Sequence, residues 1–565
     1  MKNTLHKAAR CLLFTILATA TPLARSVVYV DGAAAGLENG TSWANAYKDL
    51  RIAMAASPAN AEIWVAAGVY KPGPSRADSF ALKTGMKLYG GFTSGMTARD
   101  QRDWAANPTT LSGDINALNN HTDNSNHVLT GAPDAVVDGF TVERGGDTTY
   151  STADGVASAF GGGLFVTDIE SAAMKLANCT FRYNNAFYDD ETTRANTGHG
   201  GAIAAEGTVN AVNCVFAGNY SGSEDSRELL SFTTLSPETF STNIVDNGNG
   251  TMTTNLVGNG DAVIQTNVVV ACGIKGGGAA FWQKPGSNGG STLENCTFAG
   301  NRANKYGGAV FADNLTNDVE LLNCIAWGDE AWRRFRDELD TADELFGDSI
   351  VVRYTDIAGG WSGTGGNNLD VDPRFGVNGT GDAFTGTWTT APTWDPAKGQ
   401  TTFTDVNASW IPGELVGRFL EPTTNEWIVF APKNWGAPDY TNSVCGLKFP
   451  IAANTATTVS VYGDPRNVDY YWRTTRTYAA SGHFYRIFDY HLKAMGGRWT
   501  PLTPVTGRWT VDDVDSPCLH QGDPASDYAL EPYPNGSQHQ SGRLRQHGAG
   551  VEARRRVHDA AAVAL

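Results

Sequence analysis

Gly200-Gly201-Ala202-Ile203, then Asn213-Cys214-Val215-Phe216 with Asn219 behind it, is a phrase that the chain states four times. The first copy runs Gly162-Gly163-Leu164, Asn178-Cys179-Thr180-Phe181 and Asn184. The third is Gly277-Gly278-Ala279, Asn295-Cys296-Thr297-Phe298 and Asn301. In the fourth, Gly307-Gly308-Ala309-Val310 leads to Asn323-Cys324-Ile325-Ala326-Trp327, with Asp329 in place of the last asparagine. Six residues always separate the two asparagine positions, whereas the stretch from Gly-Gly to Asn-Cys changes length. A constant segment beside a variable one describes a repeated turn carrying loops of different size. In Cys-x-Phe the two bulky side chains are two apart, so they share one face of a strand. Leu176, Ala211, Leu293 and Leu321, each two residues before the asparagine, offer apolar partners across a corner.

Cys296 and Cys324 lie 28 residues apart, which is room for three short strands and three corners. A unit so short has no core of its own and must stack on its neighbours. Stacked strands lie about 4.8 Å apart, so equivalent residues line up in ladders. Asparagine at such a corner turns the chain and bonds backbone amides of the next coil. The spacing predicts an all-β, right-handed parallel β-helix, its hand following that of parallel crossovers. Asn178, Asn213, Asn295 and Asn323 form its structural ladder at one corner. Cys179, Cys214, Cys296 and Cys324 face inward beside them as small apolar residues. No Cys-x-x-Cys pair points to zinc.

Gly-Gly-Ala-Ile followed by Phe-x-x-Asn resembles the repeats of chlamydial polymorphic outer-membrane proteins. More broadly, the chain resembles bacterial secreted β-helix proteins of the pectin-lyase-like superfamily, of the choice-of-anchor type. Ile63–Tyr70, Leu88-Tyr89-Gly90-Gly91-Phe92 and Leu111-Ser112-Gly113-Asp114 are similar to that group's opening. The resemblance implies the fold strongly and an activity weakly, since one scaffold of this kind serves lyases, hydrolases and non-catalytic surface proteins.

The rest of the chain is organised around this solenoid. Residues 1–24 read as a signal peptide: Lys2, Lys7 and Arg10 precede the apolar Cys11–Ala20, and Ala18-Thr19-Ala20 offers a cleavage site. That apolar run is too short to span a bilayer, and no other stretch is a transmembrane candidate. Trp43, Ala46, Tyr47, Leu50 and Met54 fall at helical spacing, which predicts one capping helix over Trp43–Ala56 with Thr41 or Ser42 as N-cap. The solenoid is expected over 25–381, with 222–270 as a loop insertion or small β excursion. A small inserted all-β unit follows over 382–510, then a closing coil over 511–536.

After Gly536 the resemblance stops, and Ser537–Val551 is dense in Arg and His. Back-translated and shifted by one base, this stretch yields Ser-Ile-Asn-Leu-Gly-Ala-Tyr-Gly-Asn-Thr. Relatives of this kind are expected to continue with such a closing strand, so 537–565 reads as an out-of-frame, disordered tail.

A net charge of −17 argues against nucleic acid and anionic membranes. Gly198-His199-Gly200 resembles a short motif of β-helix polygalacturonases, but the accompanying aspartates and basic segment are missing, and its glycine belongs to the repeat. Asp370-x-Asp372-x-Arg374 is the nearest grouping to lyase chemistry, in which carboxylates hold Ca²⁺ and a base takes a proton. It reads equally as a turn leading off the stack. Asp189-Asp190-Glu191 is a second acidic group, and no other cofactor is indicated. Trp361, Trp388, Trp394, Trp410, Trp427, Trp435, Trp472, Trp499 and Trp509 crowd the last third, where most are expected to fill a core. The resulting expectation is a secreted or cell-surface protein that binds or adheres to polysaccharide or a cell-surface glycan. The alternatives are a polysaccharide lyase or glycoside hydrolase acting on a uronate polymer, or a structural envelope stalk.

Overall fold

The computed structural model describes residues 27–104, 107–116, 123–146, 160–167, 172–187, 198–222, 240–246, 252–258, 263–265, 278–303, 306–333, 338–340, 344–378, 384–395, 398, 400–416, 418–423, 448–462, 465, 479–495, 498–503, 506–519 and 521–526. Stacked parallel sheets of ten, eight and seven strands run along a right-handed β-helix. The repeat sets the register. Leu176 pairs with Ala211, Ala211 with Leu293, and Leu293 with Leu321. Phe181, Phe216 and Phe298 likewise pair in series and stack their rings at 5.4 and 5.0 Å. Leu164, Ile203, Phe281, Val310 and Leu345 form a third inward column. All belong to one continuous core.

Each central coil has four strands rather than the three expected. Ile203–Ala205, Val209–Val212, Val215–Ala217 and Tyr220–Gly222 belong to the seven-, ten-, eight- and five-stranded sheets in turn. The extra strand follows the second asparagine directly, so Phe-x-x-Asn turns a corner inside the coil rather than ending it.

Three corners require left-handed backbone. Asn178, Asn213, Asn295 and Asn323 have φ of 51°, 54°, 54° and 55°, a region that asparagine tolerates better than most residues. At the next corner Tyr183, Gly218, Gly300 and Gly328 do the same. At the third, Gly161, Gly200, Gly278 and Gly307 have φ near 62°, and a Cβ there would stand 2.1–2.2 Å from the carbonyl three residues on. This corrects the glycine register. The first copy turns at Gly161, not Gly162, and the third pairs Gly278 with Ala279.

The N-terminal cap is shorter than the periodicity suggested. Trp43–Asn45 is one 3₁₀ turn capped by Ser42, and the α-helix spans only Leu50–Ala56 with Asp49 as N-cap. Ala46 breaks the pattern with ψ of 150°, and Tyr47 bridges Val30 as a strand residue. Leu50, Ala53 and Met54 close the core. Trp43 packs outside it, against Tyr29 and Phe92. Ile63–Tyr70 falls in two strands, Glu62–Ala66 and Gly68–Tyr70, on different sheets.

Within the 222–270 insertion, Phe240–Asp246, Met252–Gly258 and Val263–Gln265 form a three-stranded antiparallel sheet. The strands from Phe375 to Leu492 make an antiparallel sheet of their own. It docks on the side of the solenoid, against the outer face of the eight-stranded sheet. There Val215, Ala217, Ala299 and Ile325 pack with Phe375, Phe419, Tyr490 and Leu492. A Cβ on Gly300 would stand 2.5 Å from the Tyr490 hydroxyl. Trp388 and Trp410 fill the unit's own core, and Trp361 packs part-buried against the end of the solenoid core. Trp394 is part-exposed, and Trp499 pairs with Trp509 on a separate hairpin. Trp427, Trp435, Trp472, the leader 1–24, Asp189–Glu191 and the tail 537–565 lie outside the described residues.

Cys179, Cys214, Cys296 and Cys324 stand at one position of successive coils, fully buried and forming no disulfide. Burial pushes the Cys179 and Cys296 thiols up. A maleimide should therefore label none of the four in native protein and all four in denaturant, as read by peptide mass mapping. Rapid native labelling at any of them would contradict an inward column.

Candidate binding face

Period-two alternation in the ten-stranded sheet sends one residue in two away from the core. From Lys175 onward the outward side chains form two columns. Lys175, Asn210, Thr292, Glu320, Val351 and Thr364 pair in series along the first. Ala177, Val212, Glu294, Leu322, Arg353 and Gly366 pair along the second. Lys175, Arg353 and Thr364 are exposed and most of the others half-buried. Six strands at about 4.8 Å spacing give a face about 24 Å long. One column is mainly polar and the other mainly apolar, and Arg353 is ion-paired with Glu320. The Asn210 carboxamide oxygen accepts the Thr292 amide at 3.2 Å, which fixes one side chain along the ladder.

Nearer the N-terminus the same face is closed. Trp64, Tyr89 and Phe92 are buried beneath Trp43 and Met96, and Arg99 and Arg102 lie 4.7 and 5.2 Å over the Tyr89 ring. Arg102 ends this cover by pairing with Asp138.

The predicted asparagine ladder borders the open face. Asn178 donates to Asp138 Oδ1 at 2.9 Å, and Asn213 donates to Asn178 Oδ1 at 3.5 Å. Asn295 is buried, while Asn323 accepts the Asp523 amide and donates to Ser526. The feature shared by the four is their left-handed backbone.

The densely bonded ladder is the second one. The amide and the Nδ2 of Asn184 both donate to Asn219 Oδ1, at 3.1 Å each. Asn219 donates the same pair to Asn301 Oδ1 at 3.1 and 2.9 Å, and Asn301 to Asp329 Oδ1 at 2.7 Å each. Their Nδ2 groups also reach the carbonyls of Val142, Phe181 and Phe216. Asn184, Asn219 and Asn301 form this second ladder, which the sequence reading did not assign. Phe-x-x-Asn in the first three copies, with Asp329 at the same place in the fourth, is the signal in the sequence.

The lyase-like candidates separate in space or are already engaged. Asp370 accepts the Gly359 amide and Asp372 that of Arg374, while Arg374 donates to the Asp515 carbonyl. They form the turn off the stack. His199 lies between Phe160 and Trp282, at 5.4 and 4.7 Å, and burial lowers its pKa to about 3, so its imidazole is neutral. Phe165, Trp282, Phe311 and Phe346 point outward from the seven-stranded sheet, yet Trp282 is 5% exposed and Phe311 0%. That strip packs rather than presenting open rings. Among the described residues no three His, Cys, Asp or Glu side chains converge to hold a metal ion.

No protein-family model matches the chain. No curated protein matches it either. Three solved chains are similar, one of them the pectate lyase Pel9A, at 10% identity and a TM-score of 0.24, with 62% of this chain and 82% of that one covered. A likeness of that size carries no argument about substrate or chemistry. Among the described residues no helix is long and apolar enough to cross a membrane.

Proposed function

We propose that the chain is an exported, surface-exposed binding module whose open ten-stranded face takes an extended, uncharged polysaccharide. The observation that carries this reading is the in-register pair of columns from Lys175 to Arg353. Its period, one strand about every 4.8 Å, is close to the length of one pyranose ring in an extended glycan. Successive sugars then meet successive coils, hydroxyls on the polar column and ring faces on the apolar one. Lys175 and Arg353 balance Glu294 and Glu320, so the face itself has no net charge. The chain's −17 disfavours a uronate polymer. Export follows from the basic and apolar leader, Lys2 to Ala20.

Thr292 sits mid-column between Asn210 and Glu320, so Thr292→Arg places a long side chain across the path. Binding to an immobilised neutral glycan should weaken at least about tenfold, roughly 1.4 kcal/mol, with the thermal midpoint unchanged. Unaltered binding by this variant would remove the face from the account.

A further inference from the structure

We infer that Asp329 and Glu344 share one proton, and that this proton ties the last coils and the docked β unit to ambient pH. The asparagine ladder runs in one direction, each rung donating to the oxygen of the next, so its end needs only an acceptor. Asp329 supplies it, taking both donors of Asn301 on Oδ1. Its other oxygen, Oδ2, is buried and meets no N–H. Beside it the Glu344 carboxylate accepts the amides of Gly328 at 2.8 Å and Asp329 at 3.2 Å. Both acids are 0% exposed. Both Glu344 oxygens lie 3.2 Å from the Asp329 amide, so the two buried carboxyls stand side by side. Two carboxylates buried side by side repel each other strongly, hence the pair holds one proton between them.

The position gives this proton consequences. The Glu344 carbonyl accepts the amides of Ala309 and Val310 at 2.8 and 3.1 Å, so the residue joins the Gly307 corner to the Gly328 corner. On the solenoid side the pair faces Asn301 and Glu330. From the β unit it faces Lys448 and Tyr490, behind which Glu421 is held by Arg486. Loss of the proton leaves two buried negative charges with Lys448 as the near cation, itself 4.0 Å from Glu421. The corners that carry Gly328, Asp329 and Glu344 then open before the rest of the stack. Burial raises both acids, and the Asp329 charge adds to the rise at Glu344, so the proton is lost as the pH rises toward neutrality.

Hydrogen–deuterium exchange on the full chain tests this, with rates corrected for the intrinsic pH effect. Peptides spanning 324–357 should lose at least about tenfold in protection between about pH 5 and about pH 8, while those spanning 174–216 do not. Asp329→Asn, which restores the residue of the other rungs, and Glu344→Gln each supply a permanent N–H donor and should abolish the difference. Equal protection at both pH values, or a pH effect that survives in either variant, would overturn the proposal.

Discussion

Asn301→Ala is expected to cost about 3–5 kcal/mol, more than any change at the first asparagine corner. Asn301 is 0% exposed and sits in the middle of the second ladder. Its carboxamide takes two donors from Asn219 and gives Nδ2 to the Phe216 carbonyl and Asp329. Alanine leaves two or three of these groups unpaired in a dry core, each worth roughly 1–3 kcal/mol. Asn213, by contrast, is half-buried, and its backbone has φ of 54°. There Asn213→Ala should cost about 1–2 kcal/mol through the left-handed conformation, and Asn213→Gly should cost nearly nothing. Chemical denaturation of the three variants ranks them. A loss at Asn301 no greater than that at Asn213 would contradict the assignment of the ladder.

Raising the pH from about 4 to about 6 should lower stability, the reverse of what paired surface carboxylates give. Burial raises Asp356 from 3.8 to about 6, with Asp370 and Asp372 adding to it, and the one proton shared by Asp329 and Glu344 is held through the same window. In this window the unfolded chain has released protons that the folded chain still holds, so unfolding becomes easier as pH rises. Asp356 alone contributes on the order of 3 kcal/mol over this window. Glu143 works the other way. Burial would raise it, but Arg182 and Arg144 outweigh that and hold it low, so its contribution is lost only below about pH 4. The thermal midpoint should peak between these limits, and Asp329→Asn should flatten the fall above the peak. A midpoint that climbs steadily from about pH 4 to about pH 6 would refute this.

The solenoid was legible because its repeat fixes both period and face. Cys-x-Phe is two apart and Asn-to-Asn six, and these spacings carry over into Leu176, Ala211, Leu293 and Leu321 pairing in register. What spacing does not tell is which asparagine points inward, since that depends on the residue before it adopting a left-handed turn, as Tyr183, Gly218 and Gly300 do. The docking of the β unit was written in the sequence but went unread. Where Thr180-Phe181-Arg182 puts a charge on its outward face, Val215-Phe216-Ala217 and Thr297-Phe298-Ala299 put alanine, and a strand face without charge is readily covered. The N-terminal helix is shorter than its periodicity implies for a local reason, because Tyr47 pairs with Val30 in mid-pattern. The candidate face is built from residues as ordinary as Asn210 and Thr292, which become a surface only once four coils are stacked.

Whether that surface binds or cleaves is decided by one measurement: a panel of neutral and uronate polysaccharides incubated with the full chain, scored both for retention and for release of unsaturated or reducing ends. Retention of an extended neutral glycan, lost in Thr292→Arg and without new chain ends, is the predicted result. Steady release of unsaturated uronates, abolished by Asp370→Asn or Asp372→Asn, would contradict it.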